Sequence, residues 1–400
     1  MRPILPSGVK FIIDRLAENG RSAHIVGGCV RDFLLAKEPF DYDITTNAVP
    51  NEMKAIFSDV KTVETGIKHG TLTVICGDGH YEVTTYRIDG EYEDHRHPKS
   101  VSFTSSLFAD LSRRDFTMNA ICYNEKDGFI DNFSGIDDIK NKIIRAVGEP
   151  ELRFSEDALR ILRAIRFSST LGFSIEEKTA KAARTCAPLL SSVSGERIYS
   201  EWSKLIGGEY AYGVISEFSE ILKEFLFWEK VVLPPKERFS SASVTVRQLS
   251  LFALSFSDSV PAFTDFCRRM RTDSKTQKMG EAVLSSLPLP AKNEKDIKLL
   301  IIKLGAEAAR VLIELKIACS LISRDALAAF DSAAHSGAPF SVKELAVNGT
   351  DISALGFFGE DIGRILKELL YLTVEANLKN EREELLRAAA KFLFSDKDKV

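Results

Sequence analysis

The chain has 400 residues, a formal net charge of −4, 44% hydrophobic and 28% charged side chains, the profile of a globular protein large enough for more than one domain. Mild acidity argues against a broadly nucleic-acid-coating surface, although a binding footprint is local rather than global. No apolar run approaches the ~18 residues that cross a bilayer, no signal-peptide core follows Met1, and six scattered cysteines without a Cys-x-x-Cys pair argue against zinc or a disulfide framework and point to the cytoplasm.

In chain order, Ala23–Val26 reads as a strand, Gly27-Gly28 as a turn and residues 30–36 as a short helix. A Gly-Gly turn leading into a helix frees backbone N–H groups for phosphate oxygens, which makes Gly28 a candidate phosphate contact. Asp41-Tyr42-Asp43 follows in a second apolar run. Read as a strand, it places Asp41 and Asp43 on one face. Two carboxylates that close repel unless a divalent cation lies between them, and hard oxygen ligands suit Mg²⁺. A phosphate cradle beside paired carboxylates predicts chemistry on a nucleoside triphosphate. Thr71–Cys76 and residues 81–86 flank Gly77-Asp78-Gly79-His80 and read as a hairpin.

The strand signal fades after residue 140. From Phe154 onward the pattern is nearly all helical, punctuated at Gly195, Leu233-Pro234-Pro235 and Leu287-Pro288-Leu289-Pro290. The fold class is therefore α+β, a small mixed-sheet head followed by helices. Residues 156–166 read as one helix, with Ala158, Ile161, Leu162 and Ile165 on an apolar face and Glu156, Arg160 and Arg163 opposite, Asp157 at the edge. On a solvated face, Glu156 and Arg160 form an i,i+4 pair. In a nucleotide-handling protein the same helix gains a second meaning. A carboxylate accepts hydrogen bonds and a guanidinium only donates them. Cytosine and adenine both present an amino donor beside a ring-nitrogen acceptor, whereas uracil and guanine present the reverse order. Asp157 with Arg160 is thus expected to accept C and A and to reject U and G, through the cost of unpaired buried polar groups. The basic cluster Arg268-Arg269-Met270-Arg271 with Lys275 and Lys278 reads equally as a solvated face or a phosphate contact.

Five segments, in order, resemble the motifs of the class II tRNA nucleotidyltransferases, the CCA-adding enzymes of bacteria and eukaryotes, most closely the bacterial branch. They are Gly27-Gly28-x-Val30-Arg31-Asp32 with Asp41-Tyr42-Asp43; Arg113-Arg114-Asp115-Phe116-Thr117-Met118-Asn119-Ala120; Asp131-Asn132-Phe133-Ser134-Gly135, with Ser134 where the family usually has Gly; Glu156-Asp157-x-x-Arg160-x-x-Arg163; and Gly195-Glu196-Arg197-Ile198. Tail segments Val347-Asn348-Gly349-Thr350-Asp351 and Asn380-Glu381-Arg382-Glu383 resemble the family more weakly, and no His-Asp dipeptide marks the phosphohydrolase module of some relatives.

The resemblance implies a nucleotidyltransferase head at 1–138, a helical neck at 139–207, a body at 208–336 and a tRNA-binding tail at 337–400. It implies addition of C, C and A to the tRNA 3′ end from CTP and ATP. Asp41 and Asp43 are then the metal ligands of a two-Mg²⁺ reaction, with Glu82 or Asp110 as a third carboxylate. Gly28 and Arg31 bind the triphosphate, Arg113 or Arg114 meets the ribose, Asp157 and Arg160 read the base, and Arg163 and Arg166 orient that pair or touch phosphates. His24 and His69 read as structural. The acidic stretch Asp89-Gly90-Glu91-Tyr92-Glu93-Asp94-His95-Arg96-His97-Pro98 resembles the flexible loop required for the final A, with His97 where an arginine is common. The alternatives are a CC-only or A-only enzyme, a poly(A) polymerase, and a catalytically inert tRNA-binding protein. Oligomeric state stays open.

Overall fold

Short apolar runs in the first 131 positions build a seven-stranded mixed sheet and a separate two-stranded one. The strands, in the computed structural model, are β1 (Ala23–Val26), β2 (Asp43–Thr46), β3 (Thr62–Val63), β4 (Thr71–Cys76), β5 (Gly79–Thr85), β6 (Arg87–Asp89), β7 (Val101–Phe103), β8 (Ile121–Asn124) and β9 (Gly128–Asp131). The structure describes residues 3–77, 79–90, 101–226, 228–375 and 378–395. The sheet order is β3-β4-β5-β2-β1-β8-β9, with β6 and β7 paired separately. β2 and β5 run parallel, and their other neighbours antiparallel. The expected hairpin is β4–β5, registered from Thr71↔Thr84 to Cys76↔Gly79.

Two compact units divide the chain, Met1–Glu229 and Lys230–Val400. In the first, α1 (Ser7–Glu18) buries Val9, Ile12 and Leu16 at helical spacing and packs on β1. α2 (Gly28–Leu34), α3 (Pro50–Ile56), α4 (Leu107–Ser112) and α5 (Gly135–Lys140) complete the head. Ser134, just before α5, adopts φ 60° and ψ 29°, the left-handed region that costs a non-glycine residue about 1–2 kcal/mol. The usual glycine at this place has that physical reason. Asp131 holds the turn by accepting from the N–H groups of Phe133, Gly135 and Ile136.

The helices α6 (Pro150–Glu156), α7 (Leu159–Leu171), α8 (Glu177–Cys186), α9 (Gly195–Gly207), α10 (Ala211–Glu217) and α11 (Ser219–Leu226) follow, with one two-stranded parallel pair, β10 (Ile143–Ile144) and β11 (Ser174–Ile175). α7 lies against α9. Its apolar residues Ala158, Ile161, Leu162 and Ile165 are all buried.

The second unit is helical among the described residues, from α12 (Lys236–Ser241) to α21 (Arg382–Ser395). Phe252, Phe263 and Phe266 pack edge-on in its core. A separate cluster of Leu345, Ile352, Ile365, Leu369 and Leu385 lies toward the C-terminus. The segment 347–351 forms a cap there: Asn348 accepts from the N–H groups of Thr350 and Asp351, and the Asp351 side chain returns a bond to the Asn348 N–H. Arg382 pairs with Asp351 at 2.7 Å, tying the two tail segments together. Of the basic cluster, Arg268 and Arg269 both pair with Asp265. No helix among the described residues is long and apolar enough to cross a membrane.

Candidate active site

Strand register assembles the first part of the site. Val26 lies opposite Asp43 across β1 and β2, so the turn that follows Val26 stands beside the carboxylate that opens β2. Gly27 takes φ 83°, and a Cβ there would come within 3.2 Å of an Arg114 Nη atom. The backbone conformation requires glycine at that position, and the Arg114 contact shows how closely the arginine tip approaches the turn. Asp43 opens the strand and Asp41 precedes it, which corrects the expectation that both share strand geometry: pairing with β1 and β5 begins only at Asp43. The two carboxylates still feel one another. Displacement of water by the surrounding protein pushes the Asp43 carboxyl above the usual range, the charge on Asp41 adds to it, and Glu82 adds a smaller push against the pull of Arg114.

Glu82 is the register partner of Asp43 across β2 and β5, hence on the same face. Asp110 is engaged differently. It is fully buried and accepts from Arg113 Nε and Nη2 at 3.0 and 2.8 Å, from Thr45 Oγ1 at 3.1 Å and from the Arg87 N–H. Burial raises its carboxyl, but Arg113 and Arg114 outweigh that and hold it below the usual range. Asp110 anchors the two arginines. Arg113 is turned toward Asp110 and Asp89, whereas Arg114 reaches the Gly27 turn, and its Nε is buried without a partner.

Among the described residues no group of three or more His, Cys, Asp or Glu side chains forms a ready metal cage. The carboxylate pair Asp41 and Asp43, whose charges repel, nevertheless has the chemistry of a Mg²⁺ site, because Mg²⁺ is commonly held by one or two carboxylates plus substrate phosphates and water. Arg31 donates from Nε and Nη2 to Asp32 and from Nη1 to Asn119 at 2.9 Å. Asn119 donates in turn to Asp115, and Asp115 also accepts from Arg163 Nε and Nη2 at 2.8 and 2.6 Å. Burial raises the Asp115 carboxyl, but the Arg163 charge, hydrogen bonds from Arg163 and Asn119, and the field of Arg160 hold it at about 2.

The segment expected to read the base, 156–166, is not one helix. α6 ends at Glu156, Asp157 is extended at φ −139° and ψ 101°, and α7 starts at Leu159. Locally, the Asp157 carboxylate accepts from the Leu159 N–H two residues on, a turn bond that competes with helical backbone. Arg160 keeps the expected i,i+4 pair with Glu156 but is not on a solvated face. It is only 9% exposed, donating to Glu156 at 2.8 Å and to the carbonyls of Arg153 and Arg113. Asp157 accepts from Arg197 Nη2 at 2.9 Å, while Arg197 Nη1 is buried without a partner. Arg166 donates to Glu201 at 2.6 Å, and burial lowers its pKa.

His24 is buried between the Tyr86 hydroxyl and Asp127, a structural setting, and at His69 the main-chain carbonyl accepts from Arg87. The loop segment 91–98, with His97, lies outside the described residues.

The Poly A polymerase head domain matches residues 23–145, and the probable RNA and SrmB-binding site of polymerase A matches residues 172–220. A CCA-adding enzyme of Geobacillus sp. (strain WCH70) is 36% identical over 378 residues, 92% of this chain and 92% of that protein. This chain belongs to the CCA-adding enzyme family. The CCA-adding enzyme of Geobacillus thermodenitrificans (strain NG80-2) is 52% identical over 200 residues, and in that match the chain spans about half of the relative's length, 49%. The crystal structure of Bacillus stearothermophilus CCA-adding enzyme in complex with CTP superposes with a TM-score of 0.80 at 30% identity, covering 99% of this chain and all (100%) of that one.

Membership of a nucleotidyltransferase family implies use of a divalent metal. Within the CCA-adding frame, sequence reasoning assigned no role to Asp115, Asn119, Phe167, Arg197 or Glu201, the partners of residues it did single out. Asp115, Asn119 and Arg197 stood inside quoted motifs, a signal that was there to use. Phe167 and Glu201 carried none beyond helical spacing.

Proposed function

We propose that this protein adds C, C and A to the 3′ end of tRNA from CTP and ATP in the cytoplasm, without a nucleic-acid template. The observation that carries the reading is the join between the Asp41/Asp43 pair, the Gly27-Gly28 turn and the Arg31–Asn119–Asp115–Arg163 chain of bonds, which ends on the helix that holds Arg160. Nucleotide chemistry and base choice thus share one scaffold. The tRNA 3′-hydroxyl attacks the α-phosphorus in line; the new P–O bond forms as the bond to the β-phosphate oxygen breaks, and pyrophosphate leaves. Asp41 and Asp43 are assigned to two Mg²⁺ ions, which when bound lower the pKa of the attacking hydroxyl and neutralise charge on the departing oxygens. Gly28 and Arg31 hold the triphosphate, with Arg31 keeping Asn119 and exchanging Asp32 for phosphate oxygens in charge-assisted bonds. Arg114, which reaches the Gly27 turn, meets the ribose, and Arg113 braces it through Asp110.

Asp157 and Arg160 read the base, while Arg163 and Arg166 orient that helix. The head, neck, body and tail are placed at 1–138, 139–207, 208–336 and 337–400, the tail contacting tRNA. Incubating the protein with tRNA lacking its last three nucleotides and all four triphosphates, then sequencing the products, is expected to give C-C-A and nothing longer. Long A tails would identify a poly(A) polymerase, and a halt after C-C a divided enzyme.

Because Arg197 fixes the Asp157 carboxylate, Arg197→Met is expected to raise U misincorporation roughly 10-fold or more, as one lost polar constraint weakens discrimination. Single-nucleotide incorporation with CTP against UTP checks it, and unchanged selectivity would remove Asp157 from the base-reading role.

A further inference from the structure

Three of the arginines that serve this site meet at one aromatic ring. Phe167, in α7, is 4% exposed, and its centroid lies 3.7 Å from the Arg166 guanidinium carbon, 5.0 Å from that of Arg31 and 5.5 Å from that of Arg163. Each guanidinium also has its own carboxylate: Asp32 for Arg31, Asp115 for Arg163 and Glu201 for Arg166. Phe116, next to Asp115, packs edge-on to the same ring, at 5.9 Å and 86°. Arg31 comes from the helix after the Gly27-Gly28 turn, whereas Arg163 and Arg166 come from the helix that carries Arg160. The carboxylates offset the three positive charges from their outer sides, while the guanidinium groups still face one another across the ring, where a negative surface lowers their mutual repulsion. The face of a benzene ring supplies this without a formal charge and without competing for the hydrogen bonds each guanidinium makes. An aliphatic side chain of similar size fills the volume and offers no such field.

We infer that Phe167 is a positioning residue for nucleotide binding: its ring fixes Arg31 in the head relative to the base-reading helix, so triphosphate and base are gripped in one geometry. Phe167 touches no reacting atom, and its action runs through Arg31. The inference rests on Arg31 holding the triphosphate.

Ring fluorination tests it, because each fluorine drains the ring's negative face while leaving its shape nearly unchanged. With mono-, di- and trifluorophenylalanine incorporated at position 167, the KM for CTP and for ATP is expected to climb stepwise, to roughly 10-fold at the trifluoro ring, with the KM for tRNA within about twofold of the unmodified protein. Phe167→Leu is expected to match or exceed the trifluoro effect. A flat fluorine series overturns the inference even where Phe167→Leu is defective, since the ring then only fills space. Arg31→Lys separates the two layers of the argument. If it leaves both nucleotide KM values unchanged, the triphosphate role of Arg31 falls and the ring inference with it. If it raises them while the fluorine series stays flat, only the ring inference falls.

Discussion

Asp43→Asn is expected to cut nucleotide incorporation by about 10³-fold or more, equivalent to roughly 4 kcal/mol of transition-state stabilisation, with tRNA affinity within about twofold of the parent. The replacement is isosteric, and Asp43 lies at the start of β2, at the rim of the sheet and outside its core, so no core packing is lost. Its charge is unfavourable in the isolated protein, because surrounding protein displaces water and Asp41 and Glu82 add repulsion. Removing that charge should leave the thermal midpoint unchanged or slightly higher without metal. Mg²⁺ should raise the midpoint of the parent by mass action and move the variant far less. Extension of tRNA with labelled ATP, filter binding and thermal melts in parallel read all three. Retained turnover would end the metal assignment, and lost tRNA binding would show that Asp43 supports the fold instead.

Local chemistry made part of this site legible in the sequence and long-range packing hid the rest. Ala23–Val26 and the turn after it followed from an apolar run ending in two glycines, and the register Val26↔Asp43 then brought turn and carboxylate together. The break at Asp157 escaped because apolar spacing runs unbroken from Ala158 to Ile165; periodicity registers a face and is blind to one extended residue before it. The tendency of aspartate to bond the backbone two residues on was the better guide there. The burial of Arg160 was hidden for a similar reason. A polar face opposite an apolar one is usually wet, but this one is covered by carbonyls from Arg113 and Arg153. Arg113 and Arg114 are adjacent in sequence and sit three and four positions after Asp110, so spacing alone pairs either with it. Only the tertiary fold turns Arg114 toward Gly27. Asp115 and Arg163 are 48 positions apart, and no pattern in a single sequence links them.

That pair is the second place where a large effect is expected. Asp115→Ala should destabilise the protein by about 2–3 kcal/mol, below the range for stripping one partner from a fully buried ion pair because the Arg163 side chain is partly exposed. Arg163 would lose the carboxylate that raises its pKa, and Asn119 would lose the acceptor that orients it toward Arg31. Asp115→Leu combined with Arg163→Met should recover much of the stability and none of the activity, because the pair's cost is desolvation while its use is geometric. The pH dependence follows from the same charges. The folded carboxyl sits at about 2, against 3.8 for the free group, so its contribution, on the order of 2 kcal/mol, is fully present above pH ~4 and disappears as pH falls toward 2. Urea midpoints measured from pH 5 downward should therefore fall more steeply for the parent than for Asp115→Asn, with the two curves converging at the acid end. Parallel curves across that window would mean that Asp115 and Arg163 are not coupled as the structure places them.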